Sequence, residues 1–103
     1  LEKPRNKFFI FGSMQELGEE SEKYHKEIFN LINNSDIEKC LFICDEKDQF
    51  IYHNYLKDKK KFLVLNNIKD IPKVINKLTQ KGDSILMKGS RCWQLEKIMN
   101  LIN

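Results

Sequence analysis

Four short apolar runs alternate along the chain with longer segments in which apolar residues recur every three or four positions. The runs cover residues 7–11, 39–44, 62–65 and 84–88. Near-continuous apolar runs of this length are typical of strands that are covered on both faces, as in a parallel sheet. The pattern therefore predicts four buried, parallel strands.

The segments between the runs have the spacing of amphipathic helices. They cover residues 21–33, 48–56, 71–78 and 93–102, with inward positions predicted at Tyr24, Ile28, Leu31, Ile32, Phe50, Ile51, Tyr55, Leu56, Ile71, Val74, Ile75, Leu78, Leu95, Ile98, Met99 and Ile102. Strand and helix alternate four times, which predicts right-handed crossovers between parallel strands. We expect one three-layer, Rossmann-like α/β domain with a mostly parallel sheet of about four strands.

Composition and charge exclude some classes of function but point to no functional site. No apolar run approaches the roughly 20 residues that a membrane span needs. The net charge is +3, and much of it comes from Lys57, Lys59, Lys60 and Lys61. A run of this kind is usually solvated, and no aromatic residues are interleaved with it as a nucleic-acid platform would require. We therefore expect no nucleic-acid partner and no membrane span.

Cysteine and histidine usage argues against a disulfide framework and a structural metal. The three cysteines are odd in number and form no CxxC pair, and His25 and His53 lie far apart. Cys40 and Cys44 bracket an apolar run, where buried free thiols are common. These features suit a reducing compartment, so we expect a cytoplasmic protein.

Two loops carry the unusual residues of the chain. In open α/β sheets, ligands bind beyond the carboxyl ends of the strands, where the strand order reverses. The usual winding places the fourth strand beside the first, so the loops at residues 12–18 and 88–91 would face each other across a crevice. They hold three of the four glycines, and glycine allows close backbone approach to a ligand.

The second loop has chemistry suited to an anion. Arg91 offers a planar fork for a carboxylate or phosphate, and Lys88 adds a point charge. Ser90 could cap a following helix or donate to a ligand, and a helix starting there would itself favour an anion. Alternatively, glycine and serine here are only turn chemistry, and Arg91 pairs with Glu96 or Asp83. Neither loop matches GxGxxG or the P-loop, which disfavours a self-contained nucleotide site.

The same loops resemble segments of the Mur ligases. The stretch FGSMQELGEES at residues 11–21, followed by His25, is similar to the family's LGxMxELGxxS…H segment. The stretch LMKGSR at residues 86–91, with LEK at 95–97, is similar to its VKGSR…(M/L)E segment, and the resemblance spans roughly residues 7–102. It is closest to the members that add D-alanyl-D-alanine. Ser13 departs from the family's usual Asp, so any role of that carboxylate would fall here to an uncharged hydroxyl.

The resemblance implies a C-terminal domain of a three-domain cytoplasmic ligase of peptidoglycan synthesis. In such enzymes ATP and Mg²⁺ convert the carboxylate of a UDP-linked muramoyl tripeptide into an acyl phosphate, which the amine of D-alanyl-D-alanine attacks. The C-terminal domain helps to bind the dipeptide and closes over the nucleotide held by the ATPase domain. The substrate contacts that the resemblance implies are Lys88, Gly89, Ser90, Arg91, Gly12, Ser13, Met14, Glu16 and Gly18, with His25 as a weaker candidate.

The resemblance also implies what this chain lacks. We expect residues 1–103 to be most of that domain, without the UDP-sugar domain and the central ATPase domain. The chain has no P-loop and no "DSYNANP"-type segment. We therefore expect no catalytic residue, no metal ligand and no ATP or Mg²⁺ site within it, and no activity in isolation.

Two other interpretations of the sequence remain open. The chain could come from another ATP-dependent amide ligase: a different Mur ligase, or a folylpolyglutamate or cyanophycin ligase. It could also be a non-enzymatic α/β binding module, such as a response-regulator-like domain. A receiver would carry an acidic cluster after the first strand, whereas Gly12 and Ser13 stand there, and Asp45 follows the second strand without such partners.

Overall fold

The structure is a computed structural model that describes residues 5–15 and 17–102, except for the side chain of residue 100. Strands and helices alternate in it as β1 (Lys7–Gly12), α1 (Ser21–Asn33), β2 (Lys39–Ile43), α2 (Glu46–Leu56), β3 (Phe62–Leu65), α3 (Ile71–Leu78) and β4 (Ser84–Lys88). Short 3₁₀ segments lie at Gly18–Glu20, Ile68–Asp70, Arg91–Trp93 and Leu95–Leu101.

The four strands form one parallel sheet in the order β3-β2-β1-β4. The chain moves outward from β1 to β3 and then returns to the other side of β1. Right-handed crossovers in opposite directions leave their helices on opposite faces of the sheet. Accordingly, α1 and α2 cover one face and α3 covers the other. The predicted three-layer parallel fold is confirmed, but the prediction that every strand is covered on both faces is wrong for the edge strand β4, where Leu86 is 55% exposed.

The two faces of the sheet have different cores. Alternate residues of β1 point to opposite faces, as the period of a strand requires. Phe11 packs with α1 and α2 in an aromatic core, in which Phe29 and Tyr52 are also buried. Phe8 and Ile10 pack in a mostly aliphatic core with residues of α3 and of the C-terminal 3₁₀ segment.

Some of the predicted inward positions on the helices are wrong. Leu31 is 68% exposed, because α1 buries the face that carries His25, Phe29 and Ile32. Phe50 is likewise 75% exposed. The second helix also begins two residues earlier than predicted, at Glu46.

The packed stripe of α2 accounts for its exposed aromatic residue. It runs through Tyr52, Tyr55 and Leu56, which have the spacing of neighbours on one helix face. Phe50 and Ile51 fall outside that stripe, and Ile51 is 42% exposed.

The last helix differs most from its prediction. Residues 93–102 were expected to form one amphipathic helix, but two 3₁₀ segments lie there, separated by Gln94. Gln94 has the left-handed backbone angles φ 49° and ψ 47°, which no helix can continue through. Leu95 and Ile98 are buried as predicted, whereas Met99 is 58% exposed.

The structure also shows the surroundings of the lysine-rich run and of two cysteines. The Nζ of Lys59 lies 4.5 Å from the centre of the Tyr55 ring. Cys40 and Cys44 are buried free thiols, and burial raises the pKa of Cys44 to about 12. In the described part of the chain, no helix has the length and apolar character needed to cross a membrane.

Phe29→Ala tests the aromatic core. The Phe29 ring is fully buried and its centre lies 4.8 Å from that of Phe42, with four further Phe and Tyr rings within about 6 Å. We expect the substitution to lower the free energy of unfolding by about 3–5 kcal/mol, through lost burial and the cavity left behind. Denaturant titration measures the change.

Phe50→Ala is the matched control, because the same side chain is removed from an exposed position on α2. Its effect should stay within about 0.5 kcal/mol. Equal losses in the two variants would contradict the assignment of the core.

Candidate anion-binding site between two loops

The reversal of strand order brings together the two loops that the sequence singled out. β1 and β4 are neighbours in the sheet, with Phe11 opposite Lys88. Since the strands are parallel, the loops that follow them leave the sheet at the same edge. The predicted placement of these loops is therefore confirmed.

The loops touch each other at their glycines. A Cβ built on Gly89 would lie 2.9 Å from the Cα of Gly12, closer than real Cβ contacts allow. Glycine is thus needed here for backbone-to-backbone approach. Gly12 is buried at this contact, whereas Gly89 also lines the hollows beside it.

Ser90 joins the loops through its side chain. Its Oγ accepts a hydrogen bond of 2.7 Å from the backbone N–H of Gln15. Ser90 occupies the N-cap position of the Arg91–Trp93 turn but makes no side-chain capping bond there. The donor from Gln15 leaves the hydroxyl hydrogen of Ser90 available to an acceptor in solution or on a ligand.

Arg91 and Lys88 supply the positive charge of the site. Both are exposed and border a hollow of about 330 Å³, a volume within the range of small-molecule sites. Glu96 is the acidic residue among those that line it. A second hollow between the loops is lined by Met14, Gly89, Ser90 and Arg91.

Glu96 and Asp83, the acidic residues considered as partners for Arg91, form no ion pair with it. The ion pairs found among residues 5–15 and 17–102 are Lys7 with Asp36 and Lys26 with Glu22. The Asp83 carboxylate instead accepts backbone N–H groups of Asn6 and Gln80. The Arg91 fork is consequently available to an anion.

The expected helix dipole at this loop is absent. The turn at Arg91–Trp93 is three residues long and ends at the left-handed Gln94. A helix dipole needs several aligned peptide units, so a single 3₁₀ turn contributes little. The attraction for an anion therefore rests on the side chains of Lys88, Ser90 and Arg91.

The loop after β1 is held mostly by its own hydrogen bonds. Ser13, which is 2% exposed, donates its N–H to the carbonyl of Ile43 and accepts at Oγ from the Gln15 side chain. A neutral hydroxyl suits this buried position. Gly18 is exposed and takes a positive φ of 60° at the start of the turn before α1. Glu16 lies outside the described residues.

His25 is buried beneath this loop and faces away from solvent. Its Nε2 accepts the N–H of Met14 at 2.9 Å, and its Nδ1–H donates to the carbonyl of Ser21 at 2.6 Å. These partners assign the neutral tautomer protonated at Nδ1. Burial lowers the pKa of His25, although the bond to Ser21 and the charge of Asp48 act in the opposite direction. His25 holds the loop and is not positioned to touch a ligand.

Trp93 is a residue of the site that the sequence-based prediction missed. Its Nε1–H donates to the carbonyl of Ser13 at 2.9 Å, and its ring lies over Gly12. Trp93 was assigned to the start of the final helix, where it had no expected role. The available signal was that Trp93 is the single tryptophan of the chain and lies two positions after Arg91.

A metal site has no support among the described residues. They contain no group of three or more His, Cys, Asp or Glu side chains that could hold a metal ion. The site described here has the chemistry of an anion site.

Three relatives of the chain from different bacteria are ligases of the same name. No protein-family profile matches it. It is 36% identical to UDP-N-acetylmuramoyl-tripeptide–D-alanyl-D-alanine ligase from Buchnera aphidicola, over 93% of this chain and 20% of that protein. The enzymes of that name from Bacillus subtilis and Rickettsia prowazekii are 33% and 30% identical, over 96% and 92% of this chain and 22% and 21% of those proteins. The chain thus spans about a fifth of the length of these relatives.

Solved structures give the same picture. The crystal structure of a MurF ligase from Thermotoga maritima in complex with ADP matches with a TM-score of 0.73 and 26% identity, over 95% of this chain and 22% of that one. MurF from Acinetobacter baumannii has the same TM-score at 20% identity and the same coverage, a likeness that speaks for the fold alone.

His25→Gln tests the buried histidine. The folded chain binds the His25 proton less readily than the unfolded chain, whose pKa is near the ordinary 6.5. Stability from the neutral ring is therefore fully present above pH 6.5 and is lost as the pH falls towards the lowered pKa. One proton gives a slope of at most about 1.4 kcal/mol per pH unit. We expect the variant to lose this slope in urea titrations between pH 8 and pH 5.

His53→Gln is the control, because His53 is exposed on α2. Its variant should keep the pH profile of the parent chain. A His25→Gln profile that still runs parallel to the parent would show that another group causes the acid sensitivity.

Proposed function

Because the chain belongs to the Mur ligase family, we propose that it is the C-terminal, substrate-binding and closing domain of a UDP-N-acetylmuramoyl-tripeptide–D-alanyl-D-alanine ligase. The observation that carries the proposal is the meeting of the two motif-bearing loops at the edge where β1 and β4 end. There Lys88, Ser90 and Arg91 border a hollow open to solvent.

The proposed ligand of this hollow is the carboxylate of the incoming dipeptide. D-alanyl-D-alanine carries one free carboxylate, and an arginine fork can bind its two oxygens with parallel hydrogen bonds. The Ser90 hydroxyl offers a further donor, and Lys88 adds charge without geometric demand. The phosphate of an acyl phosphate has the same chemistry and is the alternative occupant.

The domain would contribute orientation rather than chemical groups. In the proposed reaction the dipeptide amine attacks the acyl phosphate of the tripeptide, forming an amide bond and releasing phosphate. Holding the dipeptide by its carboxylate fixes the direction of its amine, which can replace a large entropic cost. Closure of the domain would exclude water, which otherwise hydrolyses the acyl phosphate.

ATP and Mg²⁺ belong to the longer enzyme in this proposal. The chain has no P-loop, and its described residues offer no metal-ligand group. The ATPase domain of the same polypeptide is therefore the proposed partner, with the UDP-linked tripeptide as the second substrate. Peptidoglycan precursors of this kind are made in the cytoplasm, which agrees with the free thiols of Cys40 and Cys44.

Arg91→Ala in the full-length ligase tests the carboxylate site. We expect kcat/KM for D-alanyl-D-alanine to fall by more than about tenfold, equivalent to about 1.4 kcal/mol of lost transition-state stabilisation. The measurement is phosphate release as a function of dipeptide concentration, with ATP and the UDP-linked tripeptide saturating.

Arg5→Ala is the matched control. The chain has two arginines, and Arg5 precedes β1 at the opposite edge of the sheet. It should retain the parent kcat/KM. An unchanged value for Arg91→Ala would remove that residue from the site, while activity with a different amino acid would favour another amide ligase.

The 103-residue chain alone is expected to be inactive. It contains no nucleotide-binding motif, so we expect neither ATP hydrolysis nor ligation above background from the purified chain. Turnover that co-purifies with the folded chain and disappears with Arg91→Ala would overturn this expectation.

A further inference from the structure

Trp93 connects the two loops from the side opposite His25. The indole N–H donates to the carbonyl of Ser13 across a sequence separation of 80 residues. Its ring occupies the space above Gly12, where a Cβ would lie only 2.6 Å from the Trp93 Cδ1. The absence of a side chain at Gly12 therefore creates the position that the indole fills.

The backbone of Trp93 is tied to the residues of the anion site. Its N–H donates to the carbonyl of Ser90 at 3.1 Å, and the N–H of Gln94 donates to the carbonyl of Arg91 at 3.0 Å. These two bonds define the turn that carries Arg91. The indole is therefore the side chain that anchors this turn to the loop after β1.

The conformation at Gln94 supports a fixed position for this turn. A glutamine seldom adopts left-handed angles, and such residues persist only where surrounding contacts determine them. Here the indole is held by the Ser13 carbonyl on one side of Gln94, and Leu95 is buried in the aliphatic core on the other.

We propose that Trp93 is a positioning residue that orients Ser90 and Arg91 towards the anion by anchoring their turn to Gly12 and Ser13. It does not touch the substrate and acts through the two residues that do. The inference rests on the proposed function, because its consequence is dipeptide affinity. A purely structural tryptophan would affect the amount of folded enzyme and leave the affinity unchanged.

Trp93→Phe removes the indole N–H and keeps an aromatic ring over Gly12. In the full-length ligase we expect KM for D-alanyl-D-alanine to rise about three- to tenfold, with kcat and KM for ATP within about twofold of the parent. Trp93→Ala should raise the dipeptide KM further. The thermal midpoint of each variant is recorded to separate affinity from folding.

Gly12→Ala approaches the same contact from the other side. The added methyl group has no room beside the indole, so it should displace Trp93 while leaving that residue intact. We expect a rise in dipeptide KM comparable to that of Trp93→Phe. In the 103-residue chain, emission from the single tryptophan should shift to longer wavelength as the indole becomes solvated.

Phe50→Ala serves as the control for these variants, because that exposed aromatic residue lies on α2 and outside the anion site. It should leave the dipeptide KM and the tryptophan emission as in the parent.

The outcomes separate the two proposals. A parent enzyme that ligates D-alanyl-D-alanine, with a raised dipeptide KM in Trp93→Phe and Gly12→Ala, supports both. If the parent ligates but these variants keep its dipeptide KM, with or without a lower thermal midpoint, the positioning role is overturned and the proposed function stands. A full-length parent without ligase activity overturns both.

Discussion

The contact between Gly12 and Gly89 sets how closely the ends of β1 and β4 can approach, and the site depends on that distance. With a Cβ at Gly89, the loops would have to move apart, and a Cβ at Gly12 would displace the Trp93 ring that packs between them. The bond from Gln15 to Ser90 and the bond from Trp93 to Ser13 both span the same gap. A hydrogen bond weakens rapidly with such a displacement, so the polar contacts follow from the glycine pair.

The reversal of winding explains why this contact occurs at all. β4 returns to the free side of β1, and its crossover helix packs on the face opposite α1 and α2. The chain leaving β4 therefore has the aliphatic core below it and the loop after β1 beside it. Leu95 and Ile98 enter that core, while Trp93 reaches the loop. The break at Gln94 follows from these two placements, because one straight helix could not bury Leu95 and Ile98 and also bring Trp93 to the loop.

Much of the fold was predictable because short, near-continuous apolar runs leave a strong signal, even in the edge strand β4, which is packed on one face only. The strands at residues 62–65 and 84–88, and the helices Ser21–Asn33 and Ile71–Leu78, have the predicted bounds. The prediction was weaker where a single residue determines the local structure. Spacing alone could not show that Phe50 lies outside the packed stripe of α2, or that a glutamine would take left-handed angles. The opposition of the loops followed from winding rules, but their hydrogen bonds depend on tertiary geometry.

The hydrogen bonds of the two loops indicate different roles for them. In the loop after β1, the carbonyl of Ser13 and the N–H groups of Met14 and Gln15 are all taken by other parts of the domain. Backbone groups that are already bonded have little left to offer an anion. That loop is therefore better suited to support than to contact, which leaves the proposed recognition of an anion to the loop after β4. There the charge lies on side chains, so the strength of binding should depend on how rigidly a short turn holds Arg91. Anchoring at both ends, through Gly89 on one side and Trp93 on the other, supplies that rigidity without a helix.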